Sequence, residues 1–392
     1  MNNYLLFEIG VEELPARYVN SSMEQLKNNV VKAFNENRIT FDNVNVYSTP
    51  RRLTVIVENI CEKQSDLEEE LKGPAKRIAV DADGNFTKPL LGFMKSKGIK
   101  EEDLYFKQAG KEEYAFGKIK QEGKLTSEVL KTILPEVIKS MTFPKAMRWG
   151  GKNMRFIRPI RWMVCILNDS LLNIELEGIV SSNVTKGHRF LGQSEFEVNT
   201  LDEYLTKLQE NFVILNQDER KELIKKQCED VAKSLGGEIE FDEELLEEVT
   251  HLVEYPTAFY GEFDEDYAKL PKEVVITPMK QHQRYFPVLK DGKLLPNFIA
   301  VRNGDSHKID NVKKGNEKVL EARLADALFF YKEDTKKPLE DYIEKLKTVV
   351  FQAKLGTVYD KSLRIEKLAN DIIDRLNFQD IKEDTLRAAK LC

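Results

Sequence analysis

The sequence predicts an α+β multidomain protein in which mixed or antiparallel sheets are packed with helices and are followed by an all-helical C-terminal segment. Strand-like and helix-like apolar patterns alternate through most of the chain, whereas leucines at helical spacing dominate beyond Lys308. With 392 residues, 41% of them hydrophobic, the chain has material for two or three domain cores without metals or disulfides. We predict three domains, at residues 1–150, 151–337 and 338–392.

Periodic patterns and turn residues place the individual elements. The predicted strands are 4–9, 44–48, 53–60, 114–120, 160–167, 172–176, 286–289 and 297–301. The predicted helices are 15–38, 88–97, 126–140, 201–209, 217–235 and a final region with Leu320, Leu324 and Leu328 on one face. A turn is predicted at Asp83-Gly84. The last residues, Thr385 to Cys392, favour helix and carry no stop signal, which predicts a piece of a longer protein.

Composition bounds the class of protein. The formal net charge is −6, which is unlike a protein that coats nucleic acid with a uniformly basic surface. The four cysteines lie far apart in the sequence and form no local zinc pattern. No uninterrupted apolar span is long enough to cross a bilayer, and no basic segment precedes the first apolar stretch. We therefore expect a cytoplasmic protein without a membrane partner.

The most informative segment is the basic run between Lys139 and Arg161, which contains seven basic residues and no carboxylate. Trp149 and Trp162, both tryptophans of the chain, lie within this run or directly after it. In an acidic protein, a local excess of cations with interleaved aromatic residues suits a phosphate backbone. The alternative interpretation is a solvated basic face without a ligand.

Two shorter segments share this character. Residues 276–287 contain Lys280, His282 and Arg284 without a carboxylate, and we predict a binding surface there. A satisfied structural histidine is the commoner role for such an imidazole. Residues 185–190 place a glycine between cations, which allows close backbone approach to a phosphate.

The sequence contains no recognisable motif for covalent, nucleotide-dependent or metal-assisted catalysis. P-loop, dinucleotide-binding and nucleophile-elbow patterns do not occur, and none of the four histidines is followed by aspartate. We therefore predict no catalytic, cofactor-binding or metal-binding residues in this chain. Glu8, Glu12 and Glu13 are assigned to structure or to a partner surface, because nothing in the sequence shows that they face one another.

Several long strings of this chain closely resemble the beta chain of the bacterial heterotetrameric glycyl-tRNA synthetase. The resemblance covers essentially all 392 residues in the same order, and it is carried by residues 5–15, 49–53, 143–162, 186–191, 277–288 and 316–334. The departures are minor: Val11 stands where the family commonly has a small or hydroxyl residue, and Lys186 where arginine is frequent.

The resemblance implies a division of labour between two kinds of subunit. In this family the alpha chain holds the catalytic core and uses ATP and Mg, whereas the beta chain is similar to a tRNA-binding arm. The implied partners are the alpha subunit, in a tetramer of two alpha and two beta chains, and tRNA(Gly). The resemblance also implies a domain at 151–337 that looks like the editing-type domain of phenylalanyl-tRNA synthetase, and the start of an HD-like domain at 338–392.

On this basis we expect nine residues to contact tRNA or the alpha chain, namely Arg148, Arg155, Arg158, Arg161, His188, Arg189, Lys280, His282 and Arg284. Two alternative functions remain open. One is a structural scaffold that docks the alpha chain and never contacts RNA, since arginines paired with carboxylates would leave the same sequence. The other is an HD-type phosphohydrolase, which would require a bound divalent metal.

Overall fold

The α+β class is confirmed by a computed structural model that describes residues 3–81, 84–110 and 112–392. Its sheets are small, and all pairs of named strands within them are antiparallel. The predicted turn at Asp83-Gly84 begins at a residue outside the described ones.

The strands and helices have the following bounds. The strands are β1 Tyr4–Val11, β2 Asn43–Thr49, β3 Arg52–Glu58, β4 Leu67–Ala75, β5 Leu104–Ala109, β6 Glu112–Gln121, β7 Ile160–Leu167, β8 Ser170–Leu171, β9 Glu175–Leu176, β10 Ile179–Val180, β11 Val184–Thr185, β12 Phe196–Glu197, β13 Pro256–Glu262, β14 Phe286–Lys290, β15 Lys293–Asn303, β16 Val350–Gln352 and β17 Gly356–Thr357. The helices are α1 Val19–Glu36, α2 Lys76–Ala79, α3 Lys88–Lys97, α4 Thr126–Lys139, α5 Leu201–Glu210, α6 Gln217–Ser234, α7 Glu243–Thr250, α8 Glu265–Ala268, α9 Lys272–Pro278, α10 Ile309–Asp334, α11 Val358–Leu376 and α12 Lys382–Leu391.

A five-stranded sheet in the order β2-β3-β1-β7-β8, the central sheet, organises the first half of the chain. Strand β1 is buried along its whole length because both faces of the sheet are covered. Leu5, Phe7 and Ile9 point into a core shared with α1 and α4. Tyr4 and Leu6 point to the other face and pack with α5. This alternation follows from the two-residue repeat of a strand.

Two further sheets extend this arrangement. The segment between β3 and α4 forms a small module, the inserted module, in which the sheet β4-β6-β5 packs with α2 and α3. Beyond α5, the sheet β13-β15-β14 is covered by α6 and α7 on one face and by α9 and α10 on the other. This last group is the third-sheet module.

The observed elements agree closely with most of the predicted ones. The predicted strand 160–167 is confirmed as β7, but the predicted strand 172–176 is only partly formed: β7 pairs with the very short β8, whereas Glu175–Leu176 pairs with β10. The three predicted domains stay a prediction; β7 pairs with β1 and so joins residues from the two sides of the first boundary. The HD-like identity of residues 338–392 also stays a prediction. The expectation that this segment is all-helical is wrong, because β16 and β17 pair as a two-stranded sheet within it. No helix among the described residues has the length and apolar character that a membrane span requires.

Gly10 provides a test of packing on the central sheet. An added Cβ at this position would lie 2.0 Å from the ring carbons Cδ2 and Cε2 of Trp162, a distance that forces movement of a buried indole. We expect Gly10→Ala to lower the free energy of unfolding by about 1–3 kcal/mol, measured by urea denaturation. The matched control is Gly92→Ala in α3, where nothing lies within 4 Å of the added Cβ. That variant should gain about 0.5–1 kcal/mol, since alanine is the better helix former. Equal stability of the two variants would contradict this account.

Candidate nucleic-acid interface and the buried network beside it

The basic run turns its aromatic residues inward and its cations outward. Phe156 is fully buried and Trp162 almost so, while Phe143 and Trp149 are half-buried against the core of the central sheet. The rings of Phe143 and Phe156 meet edge to face at a centroid distance of 5.0 Å. The interleaved aromatics therefore anchor the run to the fold, and their spacing is explained by packing.

Residues 147–156 of this run form a closed loop, the basic hairpin. Backbone hydrogen bonds join Met147 N to Phe156 O at 2.9 Å and Phe156 N to Met147 O at 3.2 Å. At its tip, Gly150 and Gly151 have φ values of 56° and 71°, a backbone conformation that favours glycine. The two glycines thus allow the chain to reverse while its flanks remain attached to the core.

The cations of the basic hairpin and of the residues just before it lack carboxylate partners. Arg148, Arg155 and Lys145 are exposed, and among the described residues none of them has a side-chain hydrogen bond or an ion pair. Arg155 lines an open cleft of about 540 Å³, together with Lys139 and Glu177. Arg158 is half-buried, and its Nη1 donates to the carbonyl of Ile157 at 2.8 Å. Lys145, which sequence analysis did not select, belongs with Arg148 and Arg155.

Arg161 and Arg189 lie at the end of the central sheet and are paired with acids. Arg161 Nε is 2.5 Å from Glu12 Oε2, and the hydrogen bond from Arg161 lowers the pKa of Glu12, despite the opposing effect of partial burial. Arg189 Nη1 is 3.3 Å from Glu13 Oε1, and its Nη2 is 3.9 Å from Glu12 Oε1. The assignment of Glu12 and Glu13 to structure or a partner surface is consistent with these surface pairs.

The predicted surface at 276–287 is also partly neutralised. Lys280 Nζ is 3.2 Å from Asp242 Oδ2, and Arg284 Nε donates to Glu248 Oε1 at 3.0 Å. His282 is exposed, and no side-chain contact of its imidazole is found among the described residues. A single π-helical turn, which directly follows α9, contains Lys280 and His282 and ends at Arg284. Of the three predicted side chains, only that of His282 has no acid or backbone partner among the described residues.

His188 lies inside the protein, which corrects its prediction as a surface contact. Only 1% of its surface is exposed. Its Nδ1 accepts from the backbone N–H groups of Phe190 and Leu191 at 3.3 Å, so its Nε2 carries the proton and donates to Asn303 Oδ1 at 2.9 Å. His188 is therefore a structural residue that shapes its own loop, the commoner role for an isolated histidine.

A set of buried polar side chains, the buried network, joins the central sheet to the third-sheet module. Its centre is Arg52 at the start of β3, which is fully buried. Arg52 Nη1 is 3.4 Å from Glu8 Oε2 on β1, and Arg52 Nη2 is 3.3 Å from Glu254 Oε1 after α7. Burial alone would lower the pKa of Arg52, but the two carboxylates raise it above its ordinary value.

Each carboxylate of the buried network has further donors. Glu8 accepts hydrogen bonds from Thr185 Oγ1 at 2.7 Å, from Trp162 Nε1 and from Tyr204 Oη. Burial and the Glu8 charge raise the pKa of Tyr204 well above its ordinary value, so its phenol stays protonated and donates. Glu254 accepts from Thr49 Oγ1 at 2.7 Å. The assignment of Glu8 to structure is thus supported by its contacts.

Sequence reasoning missed Arg52, Glu254 and Asn303 as partners in one network. Asn303 Oδ1 accepts from His188 and from the backbone N–H of Glu254 at 2.9 Å. A signal was present in the unusual string Thr49-Pro50-Arg51-Arg52, but burial of the second arginine depends on contacts more than a hundred residues away. Within the described residues, no group of three or more His, Cys, Asp or Glu side chains is arranged to hold a metal ion.

Comparison with known proteins shows the family. The family described as glycyl-tRNA synthetase beta subunit matches residues 5–392 of this chain. The chain belongs to this family. It is 73% identical over 391 residues to the glycine–tRNA ligase beta subunit of Clostridioides difficile, and 47% identical over 390 residues to that of Bacillus subtilis. The alignments cover 100% and 98% of this chain, which spans 57% and 56% of the length of these two relatives. The resemblance recognised in the sequence is confirmed.

Substitution of Arg52 tests how much this arginine contributes to the stability of the buried network. We expect Arg52→Met to lower the free energy of unfolding by about 3–5 kcal/mol, because two buried carboxylates lose their shared counter-charge. The measurement is urea denaturation followed by circular dichroism. The control is Arg77→Met, which removes an exposed pair with Glu112 and should leave stability nearly unchanged. Similar stability of Arg52→Met and the parent would contradict the central role of this arginine.

A second junction gives a pH prediction. Asn20 on α1 donates to Glu247 Oε1 on α7 at 2.7 Å, and Lys221 Nζ is 2.9 Å from Glu247 Oε2. Burial alone would raise the pKa of Glu247, but these hydrogen bonds and the Lys221 charge lower it to about 2. The stability from ionised Glu247 is therefore present above its unfolded pKa and is lost as pH falls toward 2.

We expect Glu247→Gln to reduce the loss of stability between pH 5 and pH 3, because the substituted amide does not titrate. Thermal unfolding at both pH values measures this difference. Glu24→Gln on the exposed face of α1 is the control, since Glu24 has no ion pair among the described residues. The same acid sensitivity in Glu247→Gln and Glu24→Gln would refute the assignment.

Proposed function

We propose that this chain is the tRNA-binding part of a glycine–tRNA ligase beta subunit, which positions tRNA(Gly) while the alpha subunit carries out ATP-dependent glycylation. The observation that carries this proposal is the basic hairpin, with Arg148 and Arg155 exposed and without acid partners in a protein of net charge −6. Membership in the beta subunit family supports the same function.

The mechanism is electrostatic and positional. Unpaired arginines neutralise phosphates and release bound counterions, which supplies affinity that falls with rising salt. Paired cations supply less, because a phosphate must compete with the carboxylate already present. Lys145, Arg148 and Arg155 therefore form the proposed phosphate-binding group, with Arg158 beside them.

The hairpin also has the rigidity that positioning requires. Its second arm is anchored by Met154 and Phe156, which are both buried, and backbone hydrogen bonds join its first arm to its second at Met147 and Phe156. An RNA held at this loop would have a defined orientation relative to the central sheet. Phosphate contacts of this type fix register and orientation without reading the base sequence.

The partners and cofactors of the reaction belong to this proposal. ATP and Mg would be bound by the alpha subunit, in an assembly of two alpha and two beta chains in the cytoplasm. The side chains of this chain would hold and orient RNA, and none is proposed to touch the reacting atoms. The phosphohydrolase alternative has no observation in its favour among the described residues.

Salt-dependent tRNA binding tests the hairpin. In the full-length beta chain with its alpha chain, we expect Arg148→Ala and Arg155→Ala each to weaken tRNA(Gly) binding and to reduce the slope of log K against log salt by about 0.7–1. The control is Lys269→Ala, because Lys269 is exposed but already paired with Asp266 at 2.6 Å.

The outcomes separate the proposal from its competitor. Lower affinity and a smaller slope in the hairpin variants, but not in the control, would support an RNA contact. Unchanged binding and unchanged aminoacylation in both hairpin variants would favour the scaffold that never contacts RNA.

A further inference from the structure

The loop formed by residues 186–192, the anchor loop, is hydrogen-bonded to the buried network and to Arg51 beside it. Arg52 Nη2 donates to the carbonyl of Lys186 at 2.7 Å, and Arg51 Nη1 donates to the carbonyl of Gly187 at 2.9 Å. His188 binds Asn303 through its side chain and the carbonyl of Asn211 through its backbone N–H, both at 2.9 Å. Three separate parts of the chain, at residues 51–52, 211 and 303, therefore fix this loop.

Two glycines allow the loop to sit this closely on the protein. A Cβ added at Gly187 would lie 2.8 Å from the carbonyl oxygen of Gln193, and one at Gly192 would lie 2.5 Å from that of Asn211. Both contacts are to backbone atoms, which cannot swing aside. The anchor loop is thus a tightly packed segment with a defined shape.

The tip of this rigid loop presents an apolar ring to solvent. Phe190 is 80% exposed, more than any other large hydrophobic side chain among the described residues. Its backbone N–H is bound to His188 Nδ1, so the ring is carried on a fixed backbone. A single exposed hydrophobic residue is ordinary on a flexible surface, but here buried charges and close glycine contacts hold the segment that exposes it.

The charges around the anchor loop are balanced. Arg189 is paired with Glu13, Arg161 with Glu12, and Lys186 with Glu195 at 3.0 Å. The basic hairpin, in contrast, has cations without carboxylates. A polyanion gains little from a balanced surface, whereas an aromatic side chain ringed by residues of both charges is typical of the centre of a protein–protein interface.

We propose that Phe190 is the anchor residue of a docking surface for the alpha subunit, and that it inserts into an apolar pocket with a rim of mixed charge. The inference rests on the proposed function, since that function brings in the alpha subunit. Glu12, Glu13, Arg161 and Arg189 form ion pairs that include Arg189, the neighbour of Phe190 in the anchor loop, and they then supply the polar rim of this surface. Arg161 and Arg189 then contribute to subunit assembly, and the phosphates of the RNA are bound by the basic hairpin.

The test compares assembly with RNA binding in the full-length beta chain. We expect Phe190→Ala to weaken association with purified alpha chain at least roughly tenfold, measured by sedimentation of dilution series, because hot-spot aromatics dominate interface energy. Affinity for tRNA(Gly), measured on the beta chain alone by gel shift, should stay unchanged. The control is Leu171→Ala on β8 at the edge of the central sheet. Its apolar side chain is also exposed, but it lies outside the anchor loop. A melting curve equal to the parent's is expected for both variants, since neither side chain is buried.

Two outcomes would overturn the proposal. Lost tRNA affinity with normal assembly would show that Phe190 stacks on an unpaired base. Unchanged assembly and unchanged RNA binding would show that the ring is not an anchor. Weakened assembly in Phe190→Ala, together with no effect of the hairpin variants on tRNA, would leave the docking surface standing while the RNA-binding role of the hairpin failed.

Discussion

The fold depends on one buried arginine shared by two carboxylates that lie far apart in the sequence. Arg52 bridges Glu8 in the middle of the central sheet and Glu254 in the third-sheet module, and its second nitrogen also supports the anchor loop. Such a charge is costly to bury, and two carboxylates and the carbonyl of Lys186 compensate for it, although Arg52 Nε and Glu254 Oε2 have no hydrogen-bond partner within the described part of the chain. The contact therefore fixes the relative position of two modules, which apolar packing alone would specify less sharply.

The two proposed binding surfaces, the basic hairpin and the anchor loop, differ in whether their cations are paired with carboxylates. The basic hairpin leaves Arg148 and Arg155 without partners, and its aromatic residues serve the core. The anchor loop does the reverse, because its cations are paired and its aromatic residue faces solvent. Local charge balance, more than the number of arginines, separates a surface suited to a polyanion from one suited to a protein.

Much of the fold could be predicted because local signals agree with it. Thr87 and Gly98 mark the ends of α3, and the apolar run of β1 has the expected length and burial. Strand β4 was missed, because its sequence Leu-Glu-Glu-Glu-Leu has low strand propensity and it forms through antiparallel pairing with β6, which lies about fifty residues away in the sequence. The site was predictable only in part. Arg155 and Arg284 look alike in sequence, but Glu248 on a different helix neutralises the second.

The inserted module leaves and rejoins its host at a single point. Gln64 N donates to the carbonyl of Lys124 at 2.9 Å, and Lys124 N donates to Gln64 Oε1 at 3.0 Å, so the two connecting segments lie side by side. Gly123 permits this contact, since a Cβ there would meet the carbonyl oxygen of Gln64 at 1.8 Å. For the central sheet, these nearly sixty residues therefore act as one long loop between β3 and α4. The entropic cost of closing such a loop grows only logarithmically with its length. Insertions, deletions or replacement of the inserted module during evolution therefore need not disturb the central sheet.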